Sequence, residues 1–151
     1  MSEAEQATGA HPIVLFDGVC GFCNTMVRRT LRRDRDGLFR FAPLQGALAA
    51  GILARHGVTL PPAGSSDPGT LYLVLDPGLP SERLLSRSQA VLFIVRRLPG
   101  YTLPALLFRV LPRPLRDAVY NFVARHRYRF FGRYETCPLP TPQDRARFLE
   151  G

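Results

Sequence analysis

The chain has 151 residues, a length that suits one domain and allows a core without disulfide staples. Hydrophobic residues make up 46% and charged residues 21%, ordinary globular usage that excludes wholesale disorder. The net charge is +8 and all 20 basic side chains are Arg, a field that attracts acidic proteins, anionic lipid or nucleic acid but names none of them. Three cysteines, an odd number, exclude a stapled secreted scaffold. Residues 1–10 carry acids where a signal peptide needs bases, and no apolar stretch follows. No run nears the roughly 18 apolar residues of a spanning helix. A cytoplasmic protein is the simplest expectation.

Residues 1–11 read as a disordered tail, and 12–151 as a single domain with a helical extension from about residue 100. Ile13-Val14-Leu15-Phe16 is a continuous apolar run, the pattern of a buried strand. Asp17-Gly18 breaks it. From 20 to 33, Cys23, Met26, Val27, Thr30 and Leu31 recur at i, i+3, i+4, i+7 and i+8 and predict a helix. Residues 38–42 alternate as a second strand, and 44–56 form a second helix closed by Gly57. A loop rich in Pro, Gly and Ser covers 61–69. A third strand over 70–75 and a short fourth over 82–86 make a hairpin. Ser88 is expected to cap a helix that runs through Leu98 and stops at Pro99-Gly100.

The resulting order is β-α-β-α-β-β-α, an α/β core with right-handed parallel crossovers and an antiparallel hairpin at its edge. That is the element order of a thioredoxin fold. Beyond it, Pro104 and Pro114 suit the first turns of two more helices. The second of these carries an apolar stripe of Leu115, Ala118, Val119, Phe122 and Val123 and stops at Gly132. Thr141 opens a last short helix.

The segment that carries chemistry is Asp17-Gly18-Val19-Cys20-Gly21-Phe22-Cys23. Three cysteines scattered at random would place a pair three apart only about 4% of the time. Here the pair also follows a buried strand and opens a helix. Residues i and i+3 share a helix face and lie within disulfide reach. The first sulfur stands at a helix N-terminus, where free amides and the dipole favour an anion and lower a thiol pKa. Cys20 is therefore expected to attack, and Cys23, one turn further in, to resolve the mixed disulfide. No bound cofactor is needed, since the two sulfurs carry the electrons. Asp17 reads first as a turn or cap residue. In a functional role it would accept a proton from one thiol or hold the loop.

The same seven residues after an apolar strand resemble the signature of the DCC family, named for its Asp, Cys and Cys and described as predicted thiol–disulfide oxidoreductases. Later segments are similar too: Phe41-Ala-Pro-Leu-Gln45, Ser86-Arg-Ser-Gln-Ala-Val91 and Arg127-Tyr-Arg-Phe-Phe-Gly-Arg133. The likeness spans roughly 13–149. It implies a thioredoxin-like fold, disulfide exchange and a site role for Asp17. It supplies no substrate; the chemistry of a cysteine pair itself points to a thiol or disulfide, most simply one on a protein. Thioredoxins place a cis-Pro just before the third strand. Pro68 lies one residue out of that register and is not counted as its equivalent.

Cys137 is expected to be a surface or half-buried thiol. A zinc site takes four ligands, and His11, His56 and His126 have no paired spacing, so no metal is expected. The stretch 125–133 mixes Arg with aromatics, which reads as a helix end with rings on the core and Arg heads in water. No specific nucleic acid is predicted, while an anionic surface or acidic partner suits the charge. The rival to disulfide exchange is a non-catalytic metal-binding or interaction module that uses the cysteines and the basic helical tail. About one zinc per chain with unreactive thiols would favour that rival.

Overall fold

A computed structural model of the chain describes residues 11–18, 21–44, 46–59, 71–131, 142 and 145–149. The expected tail over 1–11 lies almost wholly outside these residues, as do Pro68, Gly132 and Thr141. β1 (Ile13–Phe16) is buried along its whole length, as an unbroken apolar run requires when both faces of a strand are covered. It is followed by α1 (Gly21–Arg33), β2 (Arg40–Pro43), α2 (Ala47–Arg55), β3 (Tyr72–Leu75) and β4 (Arg83–Ser86). Among the described residues three more helices follow, α3 (Arg87–Arg97), α4 (Thr102–Val110) and α5 (Arg113–Phe131), with a 3₁₀ turn at Arg145–Arg147.

The strands lie in the order β2-β1-β3-β4. β1 is parallel to β2 and antiparallel to β3, and β3 is antiparallel to β4. This mixed sheet with helices on both faces fits the thioredoxin-like α/β fold. One expectation fails: only β1–α1–β2 is a parallel crossover. After α2 the chain re-enters the sheet antiparallel, on the far side of β1. Alternation of helix and strand records that each strand is buried, and leaves open the end of the sheet from which the next strand enters.

Alternate residues of the strands feed two cores. Val14, Phe16, Phe41, Leu73 and Leu75 point to one face, where Val27 of α1 and Ala90 and Ile94 of α3 cover them. Ile13, Leu15, Ala42 and Val74 point to the other, covered by Ala49, Ile52 and Leu53 of α2. α2 starts later than its apolar pattern suggests, because the Leu44 N–H still donates to the Phe16 carbonyl at 2.7 Å and prolongs the strand pairing. Gly57, at φ +70°, ends it, and the Val58 N–H returns to the Leu53 carbonyl at 2.9 Å.

Ser88 does not cap α3. Ser86 holds the cap position, and Ser88 is fully buried with its hydroxyl donating to the Asp117 carboxylate of α5. The hydroxyl is used across the α3–α5 interface, where an unpaired polar group would be costly.

Two further ties close the fold. At the C-terminal end Phe148 pairs in parallel with Phe41, and the Leu149 N–H donates to the Phe41 carbonyl at 2.7 Å. This strap covers the outer edge of β2, which would otherwise present free backbone groups. At the opposite edge, Glu82 accepts from Arg55 at 2.9 Å, from the Gly78 N–H at 2.7 Å and from His56 Nε2 at 2.7 Å. Burial pushes the Glu82 carboxyl up, but these donors outweigh it and hold its pKa below the ordinary value. A group depressed in the folded state stabilises fully above its unfolded pKa, and that stability is lost as pH falls through the folded value. Glu82→Gln is therefore expected to lose about 1 kcal/mol at pH 7. Its deficit against the parent should shrink below about pH 4.3, as read from urea midpoints at neutral and acid pH.

Candidate active site

The site begins where β1 ends. Asp17 follows the last strand residue and is 5% exposed. Gly18 turns the chain, and α1 starts at Gly21. The first turn of α1 contains no acidic side chain, so nothing there offsets the positive end of its dipole. Cys23 is the third residue of the helix and half-buried, packed against the core beneath. Cys20 and Cys137 lie outside the described residues.

Asn24, which the sequence reading did not single out, fastens this connection. It is buried, and its Nδ2 donates to the Gly18 carbonyl at 2.8 Å. The helix thus reaches back and holds the turn that precedes it. The available signal was its residue type: Asn is a weak helix former whose amide competes for nearby backbone groups. Asn24→Ala is expected to cost about 1–2 kcal/mol and to lower the thermal midpoint by a few degrees. Alkylation of Cys20 should speed up in the same variant as the turn loosens.

Beside Cys23 a cavity of about 390 Å³ opens between α1, α3, α4, α5 and the sheet. Its walls include Cys23, Met26, Val27, Ile94, Tyr120 and Val123. The polar atoms of two lining residues are already used. Thr30 donates to the Met26 carbonyl at 2.8 Å, and the Tyr120 hydroxyl accepts from the Leu71 N–H at 2.8 Å. Tyr120 thereby fixes the segment that enters β3, and it too was missed. The space is of a size that holds a small ligand or an apolar side chain.

The three histidines stand apart. A His11 ring nitrogen lies 3.0 Å from the Leu38 carbonyl, His56 meets Glu82, and His126 packs edge-on to Phe122 at 4.6 Å. Of the residues expected to act, Asp17 and Cys23 thus flank one strand-to-helix connection, the first buried and the second in the cavity wall.

The site thus sets a half-buried cysteine in the first turn of the helix that follows the first strand of a mixed α/β fold. The sequence matches the family model of the DCC1-like thiol-disulfide oxidoreductases over residues 14–133, and the chain belongs to that family. It is 36% identical over 137 residues to the uncharacterized protein YuxK of Bacillus subtilis (strain 168), covering 91% of this chain and 93% of that one. It is also 35% identical over 130 residues to the DCC family protein At1g52590, chloroplastic, of Arabidopsis thaliana, covering 85% of this chain and 69% of that one. No solved structure matches it.

Proposed function

We propose that the chain exchanges disulfides through Cys20 and Cys23. The Cys20 thiolate attacks one sulfur of a substrate disulfide, and the other substrate sulfur leaves as a thiolate and takes up a proton. Cys23 then loses its proton and attacks the Cys20 sulfur. The mixed disulfide breaks, the second substrate thiol departs, and a Cys20–Cys23 bond remains. Two electrons and two protons reach the substrate, and the reverse sequence oxidises a dithiol. No bound cofactor takes part.

The observation that carries this reading is the position of Cys23. It lies in the first turn of a helix that follows directly from a buried strand, with no acid in that turn. In the sequence Cys20 immediately precedes Gly21, the first residue of that helix, and a thiol at a helix terminus is stabilised as a thiolate. Asp17, buried just past the end of β1, is assigned as the acceptor of a proton from one of the thiols. Membership of a thiol-disulfide oxidoreductase family supports the class of reaction. The substrate is a thiol or disulfide, most simply of a protein.

The test is reduction of insulin disulfides by dithiothreitol. The protein is expected to speed precipitation of the freed B chain well above the uncatalysed rate. A rate equal to that without protein contradicts the proposal.

A further inference from the structure

Ten large apolar side chains stand exposed among the described residues, and eight of them lie on α4 and α5. On α4, Ala105 faces the core, while Leu103, Leu106, Leu107 and Val110 are 55–78% exposed. These four are spaced i, i+3, i+4 and i+7, so they form one continuous stripe. α5 repeats the arrangement: Ala124 is buried, and Leu115, Val119 and Phe122 are exposed at i, i+4 and i+7. Each helix therefore has one apolar side on the protein and another on water. An apolar stripe left on water is stabilised when another apolar surface covers it.

Charge decides what covers the outer side. Residues 96–131 contain eight Arg and a single acid, Asp117. That acid accepts from Ser88 and lies 3.8 Å from Arg113. A second copy of the chain would set this cationic surface against itself. An anionic lipid surface supplies hydrocarbon for the leucines and phosphate for the guanidinium groups. We infer that α4 and α5 form a docking face for an anionic bilayer. No helix among the described residues is long and apolar enough to cross a membrane, and the contact lies in the interfacial plane. Val119 and Val123 belong both to this face and to the wall of the cavity that holds Cys23. Docking thus brings the cavity to the lipid boundary, independently of the chemistry of the thiols.

The experiment is sedimentation of the full chain with phosphatidylcholine vesicles, with and without about one-third phosphatidylglycerol. Binding to the anionic vesicles is expected to exceed that to pure phosphatidylcholine by about tenfold or more, and to weaken as salt rises. The double variant Leu106→Glu/Leu107→Glu changes two exposed positions. It should keep the parent's thermal midpoint and lose about tenfold or more in vesicle binding. Equal binding of parent and variant, or no preference for the anionic lipid, overturns the proposal. So does a dimer in solution that dissociates in the same variant while the vesicles stay bare, which assigns the face to a second copy.

Discussion

An Asp34→Ala variant is expected to lose about 3–5 kcal/mol of folding stability. Asp34 is buried just beyond the end of α1, and both of its oxygens are in use. Oδ1 accepts from the Leu38 N–H at 3.0 Å, and Oδ2 from the Phe39 N–H at 2.9 Å and from the Arg147 guanidinium. Arg147 also donates to the Phe39 carbonyl at 3.1 Å and sits over the Phe41 ring. Removing the carboxylate leaves the buried Phe39 amide, the half-buried Leu38 amide and a largely buried cation without their acceptor, which is where large losses arise. It also releases the strap that covers the edge of β2. Urea unfolding of Asp34→Ala, Arg147→Ala and the double variant checks this. The two single losses should overlap strongly in the double variant, because they break one unit. A loss below about 1 kcal/mol in Asp34→Ala would contradict the account, since exposed ion pairs give no more than that.

The second large effect concerns catalysis. Cys20→Ser is expected to lower disulfide exchange by at least about 10³-fold, because the oxygen that replaces the sulfur is not a thiolate nucleophile. Cys23→Ser should behave differently. Attack by Cys20 still occurs, but resolution does not, so mixed disulfides accumulate on Cys20. Intact mass after quenching with acid reads the difference directly. Cys137→Ser is expected to turn over as the parent does. Normal turnover by either Cys20→Ser or Cys23→Ser would sink the assigned roles.

What could be read from the sequence was local. The apolar run 13–16, the turn at Asp17-Gly18 and the helical period from Cys23 to Leu31 lie within twenty residues, and each follows from the spacing of neighbours. The strand-to-helix connection that carries Cys23 was legible for that reason. Contacts between distant segments were not. Arg147 meets Asp34 across 113 positions, and nothing near either residue signals the other. Ser88 has the residue type of a cap, yet its hydroxyl is spent on Asp117, 29 residues on. The antiparallel entry of β3 depends on the path taken after α2, which helix and strand periods do not encode. The stripe on α5 shows a related limit. The period marks an apolar side of a helix and does not say whether protein, lipid or water lies against it, and Leu115 and Phe122 are in fact exposed.

The central claim is that Cys20 and Cys23 form a reversible redox pair. It is tested most directly by equilibrating the protein in graded thiol–disulfide buffers, alkylating the free thiols and mapping the products by mass spectrometry. The account predicts a Cys20–Cys23 bridge that forms and breaks with a single two-electron midpoint, within the span from about −270 to about −120 mV found for such pairs. A folded protein in which these two cysteines never bridge across that span would contradict it.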